Sequence, residues 1–485
     1  MSILGIKMLL LQLPNEIIEQ ILQHVGNADL DCFAASCWSL RVLATNRLRE
    51  HAKRKAEELV ILYSHDKMGI SSSRGVTYST DQVNPALLIQ RLLQDDAFPY
   101  VQGLFMTLAL PDEWDGMDSV TVNSWEDYKS KRTEQFHCIK IGLQQSDMLL
   151  SKKYNIDRLA GRLLDEDHEA LLPITFALAR RLRTITLRDC NSIPQDIVDM
   201  LQGIASQAKD IKTPDQPLSR LTDVTIQSNF QYDFFDLGQI EPFLRLSSVN
   251  SLVMHMGQIS PWEGRNSLDF KSSLSSLELS GYFKLKALKQ LLGNISNLRE
   301  FRCLYRTYPE ENEEYYKPYR GPYHGKKMPF NPRLIRDRLL QHAHHSLEHL
   351  EIRYQFSYKY TTLSLGSLRG FKKLQTVGVG SDMFSDPDRE ERADGTETYS
   401  QYSFSHMLPS TIRRITILQP AVSVSRVLYA LEGILTWKRL KFPLLTEIKS
   451  PPAHRGTGSG DSELIVYKAM LKDMGISLVV GSDVY

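Results

Sequence analysis

The sequence predicts an α/β protein in which a small three-helix bundle precedes an irregular solenoid of parallel strands joined by helices. Three observations carry that expectation. Apolar residues recur at helical spacing in the first sixty positions, a unit of the form LxxLxL recurs through most of the remainder, and helical patterns alternate with those units. The length of 485 residues exceeds one domain of ~100 to 200 residues, so the chain holds several domains or one elongated array. With 42% hydrophobic and 24% charged residues, a wholly disordered or collagen-like chain is excluded. Lys+Arg 58 against Asp+Glu 57 leaves a net charge of +1, so no global field draws in nucleic acid or an anionic membrane. Neither is expected as a partner, and recognition must be local.

The first helix begins near Pro14, which suits a first helical position, with Glu16 favourable at the same terminus. Its apolar side is read as Ile17, Ile21, Leu22 and Val25. Gly26 can end it in a left-handed conformation, and Asn27 can cap a second helix that carries Leu30, Phe33, Ala34 and Cys37. A third, after Ser39, has Leu40, Leu43, Ala44 and Leu48 inward and Arg41, Arg47, Arg49, Lys53, Arg54 and Lys55 outward. A bundle this small buries too little surface to stand alone, since chains below ~40 residues usually need a metal, a disulfide or a partner. The five cysteines (Cys32, Cys37, Cys138, Cys190 and Cys303) are odd in number and form no CxxC pair, which favours a reducing compartment and leaves docking as the remaining source of stability.

Residues 10–56 resemble the F-box: Leu13-Pro14 followed by Glu16 and Ile17, then Ile21-Leu22, Val25, Leu30, Ser36-Cys37, Leu40 and Leu43. They depart from the family at Trp38, directly after Cys37, and in lacking a terminal Leu-Trp after the third helix. The resemblance implies a module over residues 10–60 that plugs into a Skp-type linker protein and, through it, into a cullin-based (SCF) ubiquitin ligase. Linker contact is expected from Leu13, Pro14 and Ile17, joined by Leu30, Phe33 and Leu40 unless these three are bundle core. The other reading of the same residues is an amphipathic helical cap on the next domain.

A helical extension to about Ser64 is expected next, then a Ser-, Gly- and Thr-rich linker over residues 65–82. The solenoid is placed at residues 83–480. Its units start at Leu182, Leu221, Val249, Leu274, Leu298, Leu347, Leu374 and Ile412, with a frayed one at Leu445 and an early one within residues 84–108. Successive starts from Leu182 lie 39, 28, 25, 24, 49, 27, 38 and 33 residues apart. The shorter spacings approach the leucine-rich repeat period of ~20 to 29 residues, and the longer ones mark insertions. Four are expected, near residues 110–160, 305–333, 381–407 and 451–462. This part resembles the irregular leucine-rich-repeat domains of F-box proteins of the divergent fungal type, although the Asn of regular repeats is mostly missing. The competing architecture is a globular α/β domain with one parallel sheet.

Strand alternation sends the second and third aliphatics of each LxxLxL inward and their neighbours outward. Arg188, Asp223, His255, Glu278, Arg302, Glu351, Arg353 and Arg414 are thereby expected in an exposed row on a concave face, as target-binding candidates. Mixed sign in that row suits a protein partner more than a polyphosphate. Tyr315, Tyr316 and Tyr319, in an insertion that also carries an acidic run, are candidates of the second kind, because aromatic side chains anchor interfaces.

Little in the sequence points to chemistry of its own. His342, His344, His345 and His349 lack a supporting Cys and His349 falls in a strand, so no metal is expected. The loop GTGSG at 456–460 lacks the Lys of a phosphate cradle, and no GxSxG or catalytic-thiol motif occurs. No cofactor is expected. The apolar run from Ile3 to Leu13 is too short to span a bilayer, and no signal peptide is recognised, so cytoplasm or nucleus is the expected location. The resemblance therefore implies a non-catalytic substrate receptor; the alternative is an interaction scaffold that binds the linker without directing ubiquitylation.

Overall fold

The computed structural model describes residues 13–25, 30, 34, 38–56, 59–63, 68–72, 75–80, 85–94, 97–107, 133, 136–137, 139–141, 156–165, 167–190, 192–207, 217–228, 234–262, 270–306, 331–355, 365–380, 383, 407–418, 434–435, 438, 441–450 and 460–480. Two compact units make up the chain, Met1–Thr225 and Ile226–Tyr485.

In the first unit α1 (Asn15–His24), α2 (Trp38–Leu43) and α3 (Thr45–Ala56) carry the bundle. Pro14 stands at the N-cap, and its carbonyl accepts from Ile17 and Ile18. The core of the bundle is Ile18, Leu22, Leu30, Ala34, Leu40 and Ala44, with Val25, Leu43 and Leu48 packed against it. Arg47 of α3 donates to the Leu22 carbonyl and, at 3.1 Å, to that of Val25, so it closes the C-terminal end of α1. Gly26, Asn27 and Phe33 lie outside the described residues.

Within the stretch expected as a linker, the described residues form strands. Leu59–Tyr63 forms β1, and Met68–Ser72 (β2) and Gly75–Thr80 (β3) fold back on it as antiparallel strands. The LVILY run of β1 alternates buried and half-buried positions, which is strand periodicity, whereas the sequence reading extended α3 through it. Next come α4 (Pro85–Gln94) and β4 (Val101–Thr107), which is parallel to β1 on one side and to β5 (Thr184–Arg188) on the other. Between β4 and β5 run α5 (Ile156–Leu164) and α6 (Leu171–Leu178). The LLPITFAL sequence of α6 is apolar all round, and every residue of it is buried. Then α7 (Gln195–Gln207) leads to β6 (Asp223–Gln227), which spans the division between the units. The bundle meets the Phe98–Tyr100 turn that precedes β4: buried His51 of α3 shares a hydrogen bond of 2.5 Å with the Tyr100 hydroxyl, and Arg54 stacks over the Tyr100 ring.

The second unit runs β7 (Phe234–Asp236), α8 (Glu241–Arg245), β8 (Ser251–Ser260), β9 (Ser276–Phe283), α9 (Leu285–Gly293), β10 (Glu300–Arg306), α10 (Pro332–Ala343), β11 (His349–Gln355), β12 (Thr376–Val379), β13 (Arg414–Ile417), β14 (Glu447–Ser450), α11 (Gly460–Asp473) and β15 (Ser477–Val480). From β8 to β15 each strand pairs in parallel with the next in the chain, so sequence order is spatial order, the arrangement of a solenoid. The inward aliphatics Leu277, Leu279, Leu350, Ile352, Ile415 and Ile417 are all buried. At β8 the register shifts between His255 and Gln258. Opposite that bulge Gly281 adopts φ 128°, where a Cβ would overlap the Met256 carbonyl oxygen, so only glycine fits.

One joint repeats through this stack. The carbonyl of the residue before each strand from β8 to β13 accepts two successive N–H groups from the next unit, at 2.7 to 3.2 Å: Asn250 from Ser275 and Ser276, Ser275 from Arg299 and Glu300, Arg299 from Glu348 and His349. The series continues with Glu348 to Gln375 and Thr376, Gln375 to Arg413 and Arg414, and Arg413 to Thr446 and Glu447. A hydroxyl beside the joint adds a third bond in several units. Ser273 donates to Val249, Ser346 to Leu298 and Thr411 to Leu374, in each case to the carbonyl one residue before the joint.

Leu350 lies fully buried between two neighbouring strands. Leu350→Ala is therefore expected to destabilise the second unit by about 2 to 5 kcal/mol through the cavity it leaves, read as a lowered denaturant midpoint at unchanged slope.

Candidate functional site

Parallel register turns the outward residues of the second unit into rows that cross the strands. One row is Ser276, Glu300, His349, Thr376, Arg414 and Glu447; the next is Glu278, Arg302, Glu351, Gly378, Thr416 and Lys449. His255, Ser280, Leu304 and Arg353 form a third. Neighbours in such rows stand close enough to pair. His255 Nε2 lies 2.9 Å from Glu278 Oε1, and Arg302 bridges Glu300 at 2.6 Å and Glu278 at 3.9 Å. Glu351 is held by Arg353 at 2.5 Å and by His349 at 3.6 Å. Farther along, Glu447 binds Arg414 at 3.2 Å and Lys449 at 3.5 Å.

These contacts decide the protonation states. The hydrogen bond from His255, with Arg302 behind it, holds the Glu278 carboxyl below its ordinary value against the opposing effect of burial. Burial pushes the Glu351 carboxyl up, but the neighbouring His349 ring, the Arg353 guanidinium bonded to it and the charge of Arg302 outweigh it, and the net direction is again down. Both carboxylates stay ionised at neutral pH. The face is a lattice of fixed charges of both signs, able to bind a partner by exchanging internal ion pairs for intermolecular ones, which confers specificity more than affinity.

The expected exposure of this face needs correction in three places. Glu278 and Glu351 are only half-exposed because their partners draw them down onto the sheet. Ser280 is buried at 2%. In the first unit Arg188 is exposed and stacks 4.6 Å from the centre of the Phe105 ring, and Asp223 is half-buried and accepts from the Thr222 hydroxyl at 2.6 Å. His344 and His345 stack at the end of α10 while His349 belongs to the sheet face, so the sequence cluster is split between two surfaces. Cys303 is buried, and burial pushes its thiol far up, the opposite of what a nucleophile needs.

A second feature, apolar in character, lies at the N-terminal bundle. Leu13 is 37% and Ile17 40% exposed, and Pro14 between them is exposed too. Leu30 and Leu40, at 0% and 1%, are bundle core and offer nothing to a partner. The sequence reading also placed Ile17 in the core; the helix turns Ile18 and Leu22 inward instead, at i and i+4. Residues 10–51 match the F-box domain family. The chain carries an F-box. That match supports an F-box protein of SCF type, and it covers less than a tenth of the chain. Comparison with curated proteins and with solved structures gave no match.

Val42, at 53% exposure on α2, is an apolar F-box side chain that the sequence reading missed, because it falls between the inward positions Leu40 and Leu43. Glu447 and Lys449 were missed because the unit at Leu445 was taken as frayed, although its LTEIKS pattern places both outward. Tyr315, Tyr316 and Tyr319 lie outside the described residues, as do most of the four expected insertions. Among the described residues no helix is long and apolar enough to cross a membrane, and no group of three or more His, Cys, Asp or Glu is placed to hold a metal.

Because Glu278 and Glu351 have carboxyls lowered in the folded state, their contribution to stability is complete above the ordinary carboxylate range and is lost as pH falls through the lowered folded values. Melting temperature followed across the acid range will fall for the native chain. The doubly substituted Glu278→Gln, Glu351→Gln chain will start lower at neutral pH and fall less.

Proposed function

We propose that this chain is the substrate receptor of an SCF-type ubiquitin ligase, with the F-box bound to a Skp-type linker protein and, through it, to a cullin. The observation that carries the reading is the match of residues 10–51 to the F-box, together with Leu13, Pro14 and Ile17 left outside the bundle core. Large apolar side chains held in water at the entrance of a helix have no role in folding the bundle, and they are what a partner would bury. The charge lattice of the second unit, centred on Glu278, Arg302, Glu351 and Arg353, is the proposed target face. Its mechanism is positional: holding the target raises the effective concentration of its lysines at the transferring enzyme, and the chemistry belongs to another subunit. A chain that binds the linker and captures a target without directing ubiquitylation is the second reading; it is distinguished by whether a cullin co-purifies.

Burying one large apolar side chain contributes ~1.5 to 3 kcal/mol, and each 1.4 kcal/mol is tenfold in affinity. Leu13→Ala with Ile17→Ala is therefore expected to weaken linker binding about a hundredfold while the melting curve stays in place, since neither residue belongs to the bundle core. Retained linker binding would refute the placement of the linker contact at Leu13 and Ile17. In the same pull-down, Arg302→Glu with Arg353→Glu should lose the target and keep the linker.

A further inference from the structure

The helix side of the second unit has a charge balance unlike that of the chain. Lys271 and the segments 284–299, 331–348 and 365–375 carry eleven Lys and Arg against two acidic residues, Asp337 and Glu348, whereas the whole chain is balanced at 58 to 57. These segments are joined into one surface. Lys271 Nζ donates to the Gly293 carbonyl at 2.7 Å, a Cβ on Gly293 would stand 3.7 Å from His342, and the Lys372 amide donates to the His344 carbonyl at 2.9 Å. Gly370 packs directly against Leu340, which seats the 365–373 loop on α10. Lys271, Lys289, Lys372 and Lys373 are exposed.

Helix dipoles do not account for the excess. Cations near the C-terminal ends of helices are favourable, but Arg333 stands in the first turn of α10 and Lys286 in that of α9, where the dipole opposes them, and Lys289 lies in the body of α9. Asp337 is engaged by Arg336 at 2.5 Å. Burial, and then the charges of Lys271, Arg338 and Lys289, hold the His342 imidazole below its ordinary value, which registers the positive potential at the centre of the surface.

We propose that this surface, from Lys271 across His342 to Lys372 and Lys373, docks an acidic protein segment, a partner separate from the one met by the sheet face. Charge complementarity selects the class of partner. Among the described residues of these segments Phe371 is buried and no Tyr or Trp occurs, so a single-stranded nucleic acid would find only histidine rings to stack on.

The test uses the full chain and a fluorescent oligo-glutamate peptide, with anisotropy read at rising salt. The native chain is expected to bind with an affinity that falls steeply with salt. Lys289→Glu, Lys372→Glu, Lys373→Glu should weaken binding at least tenfold at an unchanged melting temperature, and Lys289→Gln, Lys372→Gln, Lys373→Gln serves if the reversed variant melts early. Arg302→Glu, on the opposite face, should leave peptide binding intact. Absence of binding, or equal binding by the variants, overturns the proposal. Tighter, variant-sensitive binding of duplex DNA or of vesicles containing phosphatidylserine overturns it in favour of nucleic acid or membrane.

Discussion

A single carbonyl oxygen shared by two amides holds the second unit together. At Asn250, Ser275, Arg299, Glu348, Gln375 and Arg413 the last residue before a strand turns its C=O toward the next unit and takes both N–H groups offered there. Backbone groups buried between units must be paired, and this joint pairs them without a dedicated side chain. It explains why spacings as uneven as 24 and 49 residues are compatible with one parallel register: what lies between joints is free to vary, and the joint itself resets the phase of every strand. Ser273, Ser346 and Thr411 reinforce it, each with a hydroxyl donated to the carbonyl one residue before the joint.

From that constraint the charge lattice follows. A parallel register fixed at each joint places residue three of one unit beside residue three of the next, so Glu278, Arg302 and Glu351 meet although 24 and then 49 residues separate them. A slip of one residue in any strand would bury its charges and expose its leucines. The lattice is therefore preorganised by the core beneath it. The F-box depends on its support in a similar way. A bundle whose described core is Ile18, Leu22, Leu30, Ala34, Leu40 and Ala44 gains a buried His51–Tyr100 contact against its own unit, and β1 begins three residues after α3 ends.

The parts of this architecture written as periodic patterns were legible in the sequence. LxxLxL marked β5, β6 and β8 to β14 with their inward residues, though neither β7 nor β15, and the Leu13-Pro14 start marked the F-box, because burial of aliphatics at fixed spacing is a local signal. What escaped was set by partners distant in sequence. Residues 68–80 are polar and rich in Ser and Gly, so composition alone reads as linker; they become strands because β1 offers an edge. Ile17 and Ile18 are chemically alike, and only the orientation of α1 on the bundle decides that Ile18 goes in. Glu278 was placed on the outward side of its strand, yet its half-burial comes from His255 and Arg302 on neighbouring strands, which no short window of sequence contains.

The shared-carbonyl joint is tested most directly by native-state hydrogen exchange at the amides it engages. Ser276, Glu300, His349, Thr376 and Arg414 stand at the start of their strands, where ordinary edges fray. If the joints hold the stack, these amides will exchange slowly, with opening free energies close to those of Leu277, Phe301, Leu350, Val377 and Ile415 in the strand interiors. Fast exchange at the strand starts beside slow exchange within the strands would contradict it, and the register would then have to rest on side-chain packing alone.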